Sequence, residues 1–280
     1  MTRIDVLKTY KLFINGAFPR GESGRVYEVK DAQGKFLANP CQASRKDLRE
    51  AVVAARTAQS GWVGATAYLR GQILYRASEM MQARKSEFVD ALVAAEGKSK
   101  KAADDEVLAA IDTWVWYAGW SDKISTIAGS TNQVSGPYYN FTIPEAVGVV
   151  TIFADSKSTL LSLVSSIGAV ISTGNTCVVI ASEKSPLTAI TLAEVLATSD
   201  LPAGVVNILT GKSAELVSWV GSHMDIDAVD VSGLSKKSEA DVRLAGADNL
   251  KRVHRFTDIK SSQRILSFVE NKTVWHPIGV

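Results

Sequence analysis

The chain has 280 residues, enough to bury one large core or two small ones, and its 46% hydrophobic and 21% charged content is ordinary for a globular protein. A net charge of +2 gives no reason to expect nucleic-acid or anionic-membrane partners. Two cysteines exclude a disulfide framework and make a reducing cytoplasm the expected compartment. The start carries no apolar signal stretch, and the most apolar window, residues 160–171, is too short and too serine-rich to span a bilayer.

Residues 11–29 hold two β-like runs, Leu12-Phe13-Ile14 and Arg25-Val26-Tyr27-Glu28-Val29, around the turn residues Asn15-Gly16 and Gly21. Ser44 with Asp47 reads as a capping box, and Leu48, Val52, Ala55 and Ala58 follow at helical spacing. Leu69, Ile73, Leu74, Ala77, Met80 and Met81 predict a second helix; Phe88, Leu92 and Val93 predict a third that stops at Gly97. Lys98, Lys100 and Lys101 read as a solvated helix end, and a fourth helix spans residues 103–117. A polar stretch at 129–135 and an extended Tyr138-Tyr139-Asn140-Phe141-Thr142 come next.

Beyond Glu145 the pattern alternates. Apolar strands at 147–153, 176–180, 205–209 and 228–231, and a weaker one at 250–256, are separated by helical segments at 160–171, 186–196, 213–220 and 235–245. Continuous apolar strands joined by helices imply a parallel sheet covered on both faces, and right-handed crossovers make it doubly wound. The expected fold class is therefore α/β, with a mostly parallel Rossmann-like sheet, an N-terminal helical and hairpin region, and a small β arm. Ligands in such sheets sit at the carboxyl ends of the strands.

Several ordered segments resemble the aldehyde dehydrogenase family. They are Leu12-Phe13-Ile14-Asn15-Gly16, Ala118-Gly119-Trp120-Ser121-Asp122-Lys123, residues 145–150 (Glu-Ala-Val-Gly-Val-Val), Thr173-Gly174-Asn175-Thr176, Pro186-Leu187-Thr188-Ala189, residues 201–208 (Leu-Pro-Ala-Gly-Val-Val-Asn-Ile) and Asn249-Leu250-Lys251-Arg252-Val253. The resemblance implies a cofactor-type domain from residues 1–128 and 144–256, an oligomerisation arm and tail at 129–143 and 264–280, and a connector at 257–263. That connector stands where the family has roughly two hundred residues, one domain's worth, carrying its nucleophilic cysteine.

The departures from the family pattern bear on function. The resemblance puts Lys157 on the family's oxyanion asparagine; a flexible lysine there reads as solvated, or less simply as a Schiff-base former. It puts Ile180 and Glu183 on the lysine and glutamate that grip the adenosine ribose. Glu183 is then either a first-turn charge favouring a helix dipole or a surviving ribose ligand. Leu234 stands on the small polar residue beside the cofactor phosphates, after Gly233. Phe256 falls on the general-base glutamate, with His254 nearby as a structural or solvated histidine. Cys177 reads as a buried inert thiol, and Cys41 lies in a loop-like region where exposure is allowed.

No catalytic residue and no metal site are expected. Glu183, Gly211 and Gly233 remain as vestigial cofactor contacts, with no cofactor expected or weak NAD(P) binding at most. Two classes follow. One is an inactive aldehyde dehydrogenase-like subunit, a structural or regulatory partner that forms a homodimer or joins a full-length aldehyde dehydrogenase. The other is a residual NAD(P)-binding module, or an NAD-dependent aldehyde oxidoreductase active only in complex.

Overall fold

The computed structural model describes residues 6–279. Two short strands, β1 (Val29–Lys30) and β2 (Phe36–Ala38), precede the helices α1 (Arg45–Gly64), α2 (Ala67–Ala83), α3 (Lys85–Glu96), α4 (Lys100–Trp120) and α5 (Ile124–Ala128). Then come β3 (Ser130–Asn132), β4 (Tyr138–Ala146), β5 (Val149–Phe153), α6 (Thr159–Ser172), β6 (Thr176–Ile180), α7 (Pro186–Leu196), β7 (Val206–Leu209) and α8 (Ser213–Ser222). The chain ends with β8 (Ala228–Asp230), α9 (Lys236–Ala247), β9 (Arg252–His254), α10 (Ser262–Leu266) and β10 (Val269–Pro277). Among the described residues no helix is long and apolar enough to cross a membrane.

The expected doubly wound sheet is present. Its five strands run in the order β7-β6-β5-β8-β9, with parallel pairing throughout. β5 and β6 are buried at every residue, as strands covered on both faces must be. Alternate side chains serve opposite faces. Val150, Ile152, Val179 and Ile208 pack towards α2, α4, α6 and α7. Val149, Phe153, Val178 and Ile180 pack towards α1 and α8. The capping box at α1 is formed: the Ser44 hydroxyl accepts from the Lys46 and Asp47 amides while Asp47 accepts from the Ser44 amide at 2.7 Å.

The N-terminal hairpin is formed by residues 12–19, where the Leu12 amide donates to the Pro19 carbonyl at 3.1 Å; the run at 25–29 stays apart from it. Asn15 (φ 51°) and Gly16 (φ 74°) do make a tight turn, closed by the Ala17 amide on the Ile14 carbonyl at 3.0 Å. Phe13, however, pairs with Ile208 of β7, exchanging hydrogen bonds of 2.9 and 2.7 Å, and so shields that edge of the sheet. Residues 25–29 pair instead with Cys41 and β2. The local turn chemistry was in the sequence, but the choice of partner is a tertiary matter.

Two elements lay inside stretches that read as polar. β3 lies within residues 129–135, and α10 begins at the end of the connector. A second, antiparallel sheet has the order β10-β4-β3. β10 pairs with β4 along its whole length, from Val269↔Ala146 to Pro277↔Tyr138. The tail thus lies on the chain's own arm.

What seats the tail is a buried ion pair. Ala228 joins the apolar cluster on one face of the sheet, while Val229 and Val231 join the other, so alternation turns Asp230 towards the first face. There Arg264 of α10 donates to Asp230 Oδ2 at 2.9 Å, with side-chain exposures of 4% and 0%. Ser166 of α6 also donates to that carboxylate, at 3.1 Å. The same guanidinium reaches the Ser165 hydroxyl and the Asp258 carbonyl at 3.1 and 2.9 Å. Ile265 and Phe268, both fully buried, complete the contact. Removing one partner of a buried pair strands the other charge, at a cost of about 3–5 kcal/mol. Arg264→Ala should lose that much in urea unfolding, and pairing Asp230→Leu with Arg264→Met should recover most of it. An Arg264→Ala variant as stable as the parent would show that the pair does not hold the tail.

Candidate functional site

β5 starts the sheet, β6 and β7 follow on one side, and β8 and β9 lie on the other. The carboxyl ends of β5 and β8 therefore flank the topological switch point, where open α/β sheets place ligands. The N-termini of α6, α7, α8 and α9 and the segment after β9 all lie at this end of the sheet.

At the end of β5, Lys157 is exposed, and its backbone amide donates to Asp155 Oδ1 at 3.1 Å. Ser158 follows with φ 46° and offers no side-chain cap to α6. The cap comes from α4 instead: buried Glu106 accepts from the Leu160 and Leu161 amides at 3.2 and 3.3 Å. Lys98 neutralises Glu106 and also pairs with Glu96 at 2.8 Å, while Glu96 accepts from the Thr159 hydroxyl. Burial alone would depress the Lys98 ammonium, but the two carboxylates hold it raised. The reading of this lysine run as solvated is therefore corrected for Lys98; Lys101 is exposed and pairs only with Asp105.

At the end of β6, Ile180 is fully buried in the sheet. Glu183 accepts from the Ser213 amide at 2.8 Å and from the Ser213 hydroxyl at 2.7 Å, with Lys212 at 3.6 Å. It thus caps α8, which has no cap from its own preceding residue, rather than α7, the helix that follows it in sequence. Gly211, after β7, holds φ +145° and crosses the Ala43 backbone so closely that a Cβ would lie 2.9 Å from its nitrogen.

At the end of β8, Gly233 presses against the end of β5. A Cβ there would lie 2.2 Å from the Ala154 carbonyl oxygen, and the Gly233 amide donates to Phe153 at 3.0 Å. Leu234 is buried in the core between the sheet and α1, α8 and α9. Arg255 fills the loop: it donates to the Ser232 and Leu234 carbonyls at 3.0 and 2.7 Å and pairs with Glu239 of α9 at 2.7 Å. His254, Phe256 and Phe268 form an aromatic cluster with centroid separations of 5.7–5.9 Å, capped by the Arg264 guanidinium 4.7 Å over Phe256. Burial depresses the His254 imidazole.

Neither thiol is poised to react. Cys177 is fully buried and pushed up by desolvation. Cys41 is also buried, at 5% exposure, because residues 25–29 cover it; the allowance for an exposed loop is thereby corrected. Among the described residues, no group of three or more His, Cys, Asp or Glu is placed to hold a metal ion. A groove of about 960 Å³ does exist, but it lies between α2 and α4, lined by Tyr68, Leu69, Tyr75, Val115 and Ala118, away from the strand ends.

Glu106, Asp230, Glu239, Arg255 and Arg264 carry this end of the molecule, and none was marked as functional in the sequence. One signal was available: Asp230 interrupts an apolar strand, and a charge there demands a buried partner.

The aldehyde dehydrogenase family profile matches residues 18–270. An aldehyde dehydrogenase of Aspergillus niger is 31% identical over 274 residues, covering 96% of this chain and 54% of that protein. Human retinal dehydrogenase 2 is 31% identical over 252 residues, covering 88% of this chain and 48% of that protein. The structure of an aldehyde dehydrogenase from Bacillus cereus in complex with NAD+ superposes with a TM-score of 0.83 at 29% identity, covering 89% of this chain and 50% of that one. The chain thus spans about half the length of the relatives it matches.

Glu239 gives this end of the sheet a pH signature. Burial opposes its charge, but hydrogen bonds from Arg255, Arg243 and Lys236 win and lower its pKa from 4.5 to about 2. A depressed carboxylate stabilises the fold above its unfolded pKa and stops doing so as pH falls towards the folded one. Glu239→Gln should therefore flatten the loss of thermal stability between pH 4.5 and pH 2. Parallel acid profiles for parent and variant would show that this clamp does not contribute.

Proposed function

We propose a non-catalytic role for this chain, which belongs to the aldehyde dehydrogenase family: a structural or regulatory subunit that associates with a full-length relative or with itself. The observation that carries this reading is that the chain's own side chains already use the polar groups at the switch point. Glu106 caps α6, Glu183 caps α8, and Arg255 takes the carbonyls of Ser232 and Leu234. In this reading residues 1–128 and 144–256 act as a cofactor-type domain, 129–143 with 264–280 as arm and tail, and 257–263 as the connector.

The residues present do not fit a nicotinamide dinucleotide. Ile180 offers no donor, Glu183 is engaged with Ser213, and in the loop before α9 the Gly233 and Leu234 amides are already used by the Phe153 and Val231 carbonyls. No chemical step is therefore routed through a cofactor. The family resemblance adds three departures that support the same reading. Lys157 stands for an asparagine whose amide is worth roughly 3–4 kcal/mol in comparable oxyanion holes, Phe256 stands for a base, and both thiols are buried. A residual NAD(P)-binding module is the second reading, favoured by the Bacillus cereus relative solved with NAD+.

The purified chain should show no NAD-dependent aldehyde oxidation. Turnover that Cys41→Ser or Cys177→Ser abolishes would refute the reading. Calorimetric titration should detect NAD and NADP weakly or not at all, since each lost charged hydrogen bond removes about 1.5–3 kcal/mol; low-micromolar dissociation constants would favour the second reading instead. Deleting residues 269–280, which leaves Arg264, Ile265 and Phe268 in the core, should abolish self-association, and capture of a co-expressed full-length relative, in sedimentation and co-purification. An unchanged assembly mass would remove the tail from the account.

A further inference from the structure

β10 is the terminal strand of the antiparallel sheet, so among the described residues one of its edges has no strand beside it. The backbone pattern says which residues present that edge. Pro277 has no N–H, and the Ile278 amide donates to the Pro137 carbonyl at 2.8 Å. In an antiparallel ladder hydrogen-bonded residues alternate, so residues 270, 272, 274 and 276 bond inward to β4. Asn271, Thr273 and Trp275 consequently turn their N–H and C=O groups outward.

Both ends of this window are closed. At one end Arg252 donates to the Val269 carbonyl at 3.0 Å. At the other, Pro277 offers no donor. Between these stops the edge is exposed, and Trp275 stands 57% open to solvent. A flat, unblocked edge of this kind is a template for another strand.

We propose that β10 pairs antiparallel with β10 of a second copy of this chain, across a two-fold axis through Thr273. Asn271 then meets Trp275 of the partner strand and Thr273 meets its own mate, so all three outward residues are satisfied on each side. The charges select this register. Lys272 falls opposite Val274, and Glu270 falls opposite the His276 imidazole at both ends. Moving the axis to residue 272 sets two Lys272 ammonium groups against each other. Moving it to 274 sets Lys272 against His276. The two three-stranded sheets become one continuous sheet, and Trp275, already edge-on to Tyr138 at 5.7 Å, is covered by the mate's Asn271. A two-fold axis makes the contact closed and self-limiting.

This inference rests on the reading of the arm and tail as an assembly surface, and adds the occupant and the register. The native thiols, Cys41 and Cys177, are buried, so an introduced surface cysteine reports alone. The full chain should sediment as a dimer. Thr273→Cys should form a disulfide-linked dimer as the main species under mild oxidation, because facing Cα atoms of a hydrogen-bonded pair lie about 5.5 Å apart, within disulfide reach. Ser125→Cys, on exposed α5, is the control and should stay monomeric on a non-reducing gel. Thr273→Pro removes an outward N–H and leaves the backbone hydrogen bonds to β4 in place, losing only the hydroxyl contact with Thr142, and should sediment as a monomer with an unchanged circular-dichroism spectrum. A monomeric parent, a dimeric Thr273→Pro variant, or Thr273→Cys cross-linking no better than Ser125→Cys overturns the proposal. If deletion of residues 269–280 still breaks assembly while Thr273→Cys fails to cross-link, this register falls and the tail's assembly role stands. If the deletion leaves assembly intact, both fall.

Discussion

The Arg264–Asp230 pair lies between a central strand and the segment that follows the sheet. Two charges taken out of water repay their desolvation only when geometry and further hydrogen bonds are good. Here Ser165, Ser166 and the Asp258 carbonyl supply those bonds. The pair has little room to slide, because Phe256 stacks beneath the guanidinium and Ile265 and Phe268 are locked in the core. Much else follows from that position. It sets where α10 lies against α6, and α10 sets where β10 begins. The Ile259 carbonyl, held by the Tyr117 hydroxyl at 3.1 Å, draws the connector down between α4 and α6.

The same logic applies at the switch point, where internal groups meet polar atoms of the backbone. A helix N-terminus attracts anions because its first amides lack partners. Two of the first amides of α6 are taken by Glu106 and the first amide of α8 by Glu183, and in the loop before α9 the Gly233 and Leu234 amides are used by the Phe153 and Val231 carbonyls. An external anion would compete with those carboxylates and carbonyls for the amides. Gly233 closes the remaining gap with its backbone, since even a methyl group would strike the Ala154 carbonyl.

The central sheet was legible because its strands are continuous apolar runs between helices, a pattern with few alternative readings. The capping box at Ser44 was legible for a similar reason: its partners lie within a few residues. What could not be read depends on distant pairings. Phe13 with Ile208, Glu106 with α6, Glu183 with α8 and Arg264 with Asp230 join segments whose sequences give no sign of each other. Glu183 is instructive. Its place near a helix start was visible, but the helix it caps begins some thirty residues later. α10 was hidden for a different reason: at five residues it is too short to show a period, and only Arg264 and Ile265 within it are buried.

In the proposed reading, filling of the strand ends and seating of the tail meet at Phe256. Arg255 is committed to the loop after β8, the Phe256 amide donates to Ser232 of that loop, and Arg264 lies over the Phe256 ring and pairs with Asp230. Freeing the loop for a ligand means moving Arg255, and with it Phe256 and the cation stacked on that ring. The displacement would pass through residues 257–263 to α10 and on to β10, which pairs with β4 from end to end. In the proposed reading, the side chains that fill the strand ends therefore also help to fix the register of the arm.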